Sequence, residues 1–284
     1  MPARPELRST AGLLAIAAVA ALAGGGCSLL VSTSDLAAAG PSGDAGAGET
    51  RSDEASTTTE GGTTTDSGGD PALAPFCVSQ NPKPKFCADF DTGSLLQLGT
   101  VEGTVTLDTA VSKSPPRSMS CEVSTTSAKR NGQVVHPFNE VPRSYDLSFD
   151  VYVDVYDVTH GVELITVAMQ PSAETRCVTD VAIRDGVWAV DESCETNNTQ
   201  VYGVTHASVK RVELGRWVHV DTSVSLEAAR TLSLTVDGQS LFSATPLNAG
   251  LMAGNVTLQV GIVYTQLNAT TAKVHFDNVR FDYR

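Results

Sequence analysis

Tyr145-Asp146-Leu147-Ser148-Phe149-Asp150-Val151-Tyr152-Val153-Asp154-Val155-Tyr156 is the stretch that decides the fold. Leu147, Phe149, Val151, Val153 and Val155 take every second place, and Asp146, Ser148, Asp150, Tyr152, Asp154 and Tyr156 take the others. Successive side chains of a strand point to opposite faces, so this pattern predicts a β-strand with one buried face. It returns at Val218, Val220, Thr222, Val224 and Leu226, at Leu232, Leu234 and Val236, and at Val256, Leu258, Val260, Ile262 and Tyr264. Asp185-Gly186 and Asp237-Gly238 lie between such runs, and Asp-Gly is a two-residue hairpin signal. Near the end Val274 and Phe276 are even-numbered, whereas Val279, Phe281 and Tyr283 are odd. That phase change at Asp277-Asn278 predicts a bulge. Only Leu226–Arg230 reads as a helical turn. Roughly a dozen strands in about 200 residues predict an all-β, two-sheet antiparallel sandwich over residues 76–284.

The rest of the 284 residues reads differently. Residues 1–26 carry Arg4 and Arg8, then the uncharged run from Ala11 to Ala23. A membrane span needs about 20 apolar residues, so this shorter run reads as a signal peptide. Gly24-Gly25-Gly26-Cys27 ends it. That placement resembles the lipobox of bacterial lipoproteins, which implies lipid on Cys27 and a membrane as partner; the alternative is a plain secreted protein. Ser28 after the Cys implies sorting to the outer membrane. Residues 27–75 are rich in Ser, Thr, Gly, Ala and acid, with Arg51 the only basic residue. Such a segment buries too little apolar surface to offset its ordering entropy, so a disordered tether is expected. Its last 44 residues would span roughly 35–40 Å as a flexible coil.

The formal charge of −13 falls mostly outside the leader. Residues 76–284 hold 16 basic and 23 acidic residues, with no Lys/Arg run. An acidic surface repels phosphate backbones, which argues against a nucleic-acid partner.

Six Cys in an exported chain invite pairing. A two-residue loop at Asp185-Gly186 places Cys177 directly opposite Cys194, on the face shared by Val181, Ile183, Trp188 and Val190. Alternating pair types make this a close, non-hydrogen-bonded pair, which favours a disulfide over two separate buried thiols. Cys77 and Cys87 flank a short Pro-containing loop and form a second candidate bridge. With Cys27 lipidated, Cys121 is the odd thiol, expected to be buried.

The region from Phe86 to Tyr283 resembles the concanavalin A-like lectin/glucanase superfamily, especially its laminin-G-like members. Phe-Cys-Ala-Asp-Phe-Asp (86–91), Ser-Pro-Pro-Arg-Ser-Met (114–119), Gly-Arg-Trp-Val-His-Val (215–220), Leu-Ser-Leu-Thr-Val-Asp-Gly (232–238) and Phe-Asp-Asn-Val-Arg-Phe-Asp (276–282) carry the resemblance in order. It implies a jelly roll whose concave face often holds carbohydrate. Retaining glucanases of the superfamily carry Glu-x-Asp-x-Glu on one strand, where alternation turns all three carboxylates to one face. Here Glu163-Leu164-Ile165 lacks the Asp, and Asp191 and Glu192 fall on opposite faces. The reading is therefore that the protein is not an enzyme. Tyr152 with Asp150, Asp154 and Tyr156 is the candidate ligand face, since Tyr stacks on sugars and Asp accepts their hydroxyls. No cofactor is expected; a structural calcium would suit these Asp oxygens. His219 with Asp221, and His275 with Asp277, each share a strand face, but a structural role is expected for both and no metal site is assigned. Two functions remain open: a tethered glycan-binding module, or a structural or protein-interaction component of the cell envelope.

The anchor is directly testable. Cys27→Ala should move the protein from the membrane to the soluble fraction and abolish incorporation of labelled palmitate.

Overall fold

The computed structural model describes residues 75–284 except 92, 126, 128–129, 158–160 and 266–270. The signal, the Cys27 anchor and nearly all of the tether lie outside the described residues.

The strands in chain order are β1 (Phe86–Ala88), β2 (Thr100–Asp108), β3 (Ser118–Ser124), β4 (Gly132–Pro137), β5 (Ser144–Tyr156), β6 (Val162–Gln170) and β7 (Thr175–Arg184). They continue as β8 (Val187–Thr196), β9 (Thr199–Arg211), β10 (Trp217–Ser225), β11 (Thr231–Val236), β12 (Gln239–Pro246), β13 (Asn255–Thr265) and β14 (Thr271–Tyr283). All pairs are antiparallel, in the order β12-β11-β10-β5-β14-β3-β2-β4-β13-β6-β7-β8-β9, with β1 added on β14. Strand β2 joins two layers. Its residues Thr104–Asp108 pair with β3 in sheet A, and Thr100–Gly103 pair with β4 in sheet B. The crossing falls at Gly103, where φ is 70° and an added Cβ would lie 1.8 Å from the Asn131 carbonyl oxygen. Only glycine fits there.

Between the sheets lies one apolar layer. Leu147, Phe149, Val151, Phe276 and Phe281 come from sheet A, and Ile165, Val167, Ile183, Trp188 and Leu258 from sheet B. Phe149 and Phe276 stack obliquely at 6.0 Å between centroids. Both expected hairpins form, with Asp185 and Gly186 at φ 51° and 77°, and Asp237 and Gly238 at 51° and 73°. Positive φ at both turn residues matches the right-handed twist of the flanking strands. The expected kink also forms: the β14–β5 register shifts between Asp277 and Arg280, with Asn278 at φ 51°.

Three sequence expectations are corrected. Leu226–Arg230 forms no helix; it is the connection between β10 and β11, and the short helices are α1 (Phe76–Ser79) and α2 (Leu95–Leu98). On β5 a register shift against β14 falls where Lys273 pairs with Val155 but Val274 with Val153. This bulge turns Val155 outward, 46% exposed, and buries Tyr156 at 7%. Tyr156 therefore leaves the candidate ligand face. On β13 a shift beyond Val260, beside Gly261 at φ 135°, leaves Tyr264 45% exposed instead of in the core.

Two disulfides close as expected, Cys77–Cys87 and Cys177–Cys194, with Cα–Cα distances of 5.7 and 4.0 Å. Such bonds persist in oxidising compartments, which places the protein outside the cytosol, extracellular or periplasmic. Among the described residues no helix is long and apolar enough to cross a membrane. Cys121 is free and fully buried, and burial pushes its thiol pKa up to about 12.

Two outcomes follow from the packing. Phe276→Ala, at a site 0% exposed, should cost about 3–5 kcal/mol in urea unfolding. In the native protein a thiol reagent should leave Cys121 unmodified at neutral pH, and it should label one thiol of the described domain once urea opens the core.

Candidate functional site

Because each sheet turns one face to the shared core, polar chemistry collects on the two outward faces. On sheet A, cross-strand neighbours place Trp217 beside Tyr152 and Tyr152 beside His275. Tyr152 packs obliquely on Trp217 at 5.7 Å and edge-on to His275 at 5.7 Å. Tyr152 is half-buried and keeps the outward face the sequence assigned. The two Asp residues are committed elsewhere. Asp150 accepts from His219 Nδ1 at 3.0 Å and from Asn278 Nδ2 at 2.8 Å, and is 5% exposed. Asp154 pairs with Lys273 at 3.5 Å. Of the four residues selected, Tyr152 and Asp154 remain on the outward face, Asp154 with its side chain 39% exposed, and sequence reasoning missed the neighbour Trp217.

The His–Asp pairs have local roles. His219 Nε2 lies 3.3 Å from Asp221, completing an Asp150–His219–Asp221 triad. Asp277 accepts from the backbone N–H groups of Lys113 and Ser114 at 3.0 and 2.9 Å, fastening the β2–β3 connection over β14. Among the described residues no group of three or more His, Cys, Asp or Glu is placed to hold a metal ion.

The outward face of sheet B is polar as well. Pairing aligns Gln259 (β13), Thr166 (β6), Asp180 (β7), Asp191 (β8) and Thr205 (β9) in one row across five strands. The neighbouring row is Thr257, Ala168, Val178, Ser193 and Gly203. Thr166 and Asp180 are only 1% and 4% exposed although they point away from the core. A hollow of about 400 Å³ is lined by Glu163, Asp180, Arg184, Asp191, Ser193, Gln200 and Thr205 among others. A separate, smaller hollow of about 120 Å³ is lined by Arg176, Asn255, Thr257 and Gln259 among others.

Arg184 organises the hollow. Its Nη2 donates to Glu163 Oε1 at 2.8 Å and its Nε to Asp191 Oδ2 at 2.7 Å. Asp191 Oδ1 is enclosed and has no partner. Asp180 accepts a hydrogen bond from the Thr166 hydroxyl. Burial, with the charge of Glu163 adding to it, holds the Asp180 carboxyl well above the usual carboxylate range. Burial also raises Glu163, against the opposing pull of Arg184. Glu192, next in sequence to Asp191, points inward, accepting from His206 at 2.9 Å and from the Asn248 N–H at 3.0 Å. The sequence signal for this site was there in β7. Arg176, Asp180 and Arg184 occupy even positions of a strand whose other residues are small or apolar.

No family model matches the chain, and no curated protein matches it. Solved structures do. An endo-β-1,4-glucuronan lyase from the fungus Trichoderma reesei aligns with a TM-score of 0.55 and 14% identity, over 71% of this chain and 96% of the lyase. Cellulose induced protein Cip1 aligns with a TM-score of 0.51 and 12% identity, over 69% and 96% of the two chains. The carbohydrate-binding module CBM66 from Bacillus subtilis aligns at 0.38 and 11%, over 64% and 94%. At these identities the first two similarities establish the fold, an antiparallel β-sandwich consistent with the concanavalin A-like resemblance. They also correct one expectation. Absence of the glucanase motif was read as absence of enzymatic activity, yet a lyase has this fold. The missing motif excludes one arrangement of carboxylates, and the fold itself is compatible with catalysis.

The triad on sheet A makes stability pH-dependent. Hydrogen bonds to Asp150 and Asp221 raise the His219 pKa from 6.5 to about 10. A raised folded-state value stabilises fully below pH 6.5 and is lost as pH rises through about 10. Unfolding midpoints in urea should fall across that window for the native protein and stay flatter for His219→Ala.

Proposed function

We propose that this is an exported, lipid-anchored envelope protein whose sandwich engages a polysaccharide along the outward face of sheet B. The observation that carries the reading is the cross-strand polar row Gln259–Thr166–Asp180–Asp191–Thr205, beside a row of smaller side chains and opening on the hollow lined by Glu163, Arg184 and Asp191. Five strands about 4.8 Å apart give a groove of roughly 20 Å, long enough for a short run of sugar units. Amide, hydroxyl, guanidinium and carboxyl groups along it supply both donors and acceptors, as sugar hydroxyls require. Lipid on Cys27 would hold the head at the outer membrane, with the tether giving reach to neighbouring glycans.

The charge of the groove selects among glycans. Two guanidinium groups, Arg176 and Arg184, share the face with four carboxyl groups, Glu163, Asp180, Asp191 and Glu195. A polyuronate would be repelled by that excess, so the ligand is a neutral polysaccharide. The lyase with the same fold is named for an acidic polymer, and this chain's residues point elsewhere.

A second reading rests on the Tyr152–Trp217 pair, which offers an aromatic surface for stacking on a sugar ring from sheet A. A third, a structural envelope component with no sugar site, remains the outcome if no glycan binds.

Affinity electrophoresis of the full-length protein in detergent separates them. A neutral β-glucan should retard the protein, and Gln259→Ala should weaken binding about five- to tenfold, the worth of one hydrogen bond. Tyr152→Ala should leave it unchanged. Loss on Tyr152→Ala alone would transfer the site to sheet A, and no retardation by any glycan would favour the structural role.

A further inference from the structure

We propose that the outward face of sheet A binds a zwitterionic α-amino-acid group, its carboxylate on Arg280 and its ammonium on Asp146. The site lies on the other layer from the sheet B groove and does not depend on it. A hollow of about 300 Å³ opens there, lined by Asp146, Ser148, Asp221, Ser223, Thr235 and Arg280 among others. Strand pairing explains why these residues meet. Arg280 (β14), Ser148 (β5), Asp221 (β10) and Thr235 (β11) form one cross-strand row, and Asp146 and Ser223 are neighbours in the next. The register shift between Asp277 and Arg280 supplies the guanidinium. Before the bulge the even positions Val274 and Phe276 face the core, so unbroken alternation would turn Arg280 inward as well.

The charges of this hollow lack partners inside the protein. Among the described residues the half-buried Arg280 makes no side-chain hydrogen bond or ion pair, and the Asp146 carboxylate accepts none. The hydroxyls of Ser148, Ser223 and Thr235 are also unbonded. Asp221 meets His219 Nε2 through Oδ1, at 3.3 Å, which leaves its Oδ2 available. The contrast with the same face one row away is plain, because Asp150 and Asp277 there are each held by protein donors. Sheet spacings of about 4.8 Å between strands and about 6.8 Å for two residues along one set the Cα atoms of Arg280 and Asp146 about 8 Å apart. Opposite charges thus flank a gap that a small ligand can bridge.

The pattern of charge selects the ligand. A simple anion would meet one guanidinium against two carboxylates. A simple amine would meet the carboxylates against Arg280. A neutral sugar would leave both charges unpaired. An α-amino-acid group carries carboxylate and ammonium on one carbon and pairs both. Its carboxylate also matches the forked donors of a guanidinium. The unbonded hydroxyls supply neutral donors and acceptors for what remains.

Isothermal titration of the full-length protein in detergent tests this with four probes. Alanine carries both charges, N-acetylalanine lacks the ammonium, and alaninamide lacks the carboxylate. Alanine should bind, and each of the other two should bind about tenfold or more weakly, the loss of one charge-assisted contact. Arg280→Gln should weaken alanine and N-acetylalanine and leave alaninamide unchanged. Asp146→Asn should weaken alanine and alaninamide and leave N-acetylalanine unchanged. Both variants should keep the native melting temperature and the retardation by neutral glucan, since neither residue lies in the core or on sheet B. Nε-acetyllysine presents the same group at the end of a longer chain. Tighter binding than alanine's would assign the site to an end group borne on a chain, and equal binding to a free amino acid. No heat from alanine, equal affinity for alanine, N-acetylalanine and alaninamide, or native affinity in both folded variants would overturn the proposal. Each of those results leaves the sheet B reading untouched.

Discussion

The apolar layer between the two sheets constrains everything else in this protein. Each strand has two faces, and in the central strands the layer takes one of them, while β9 and β12 contribute no fully buried residue. Side chains that bind or react are then confined to the outward faces, at every second position. The strand-to-strand register decides which of those positions become neighbours. Thr166, Asp180 and Asp191 are far apart in sequence and adjacent in space because β6, β7 and β8 pair in consecutive hairpins, locked on one side by Cys177–Cys194.

The two outward faces have been put to different uses by the same rule. On sheet A, the polar groups mostly satisfy one another. Asp150 is held by His219 and Asn278, and Asp277 by the β2–β3 connection, so the carboxylates there act as fasteners. On sheet B, one arginine serves two carboxylates, and a third carboxyl is buried with a hydroxyl for company. A buried carboxyl with no bonded cation is expensive to ionise, so Asp180 costs stability wherever it must be charged. Fasteners explain themselves by what they hold. The Asp180 cluster holds no loop and bridges no layer, which is why it carries the functional reading.

Much of the fold was legible in the sequence. Alternation identified the strands of residues 145–156, 218–224, 232–236 and 256–262; Asp-Gly marked both hairpins; and hairpin register alone paired Cys177 with Cys194. The failures share one cause. A β-bulge inserts a residue without changing composition, so the alternation of 146–156 ran past the bulge and assigned Tyr156 and Val155 to each other's faces. The same error put Tyr264 in the core. At Asp277-Asn278 the bulge was visible only because apolar residues continued on both sides of it.

The sequence by itself determined that this chain carries an acidic, all-β domain, because charge and period-two patterning are local properties of the chain. It also determined which residues point outward on most strands. Only the tertiary structure decided which outward residues meet. Arg184, Glu163 and Asp191 come from three strands, and no spacing within any one of them announces the contact. Depth, too, is a property of the assembled sheet: Asp146 and Asp180 both sit at polar positions of alternating strands, yet Asp146 is exposed and Asp180 is 4% exposed. The difference between a solvated carboxylate and one that burial makes harder to ionise is made by neighbouring strands, which bring bulk and charge that the strand's own sequence does not contain.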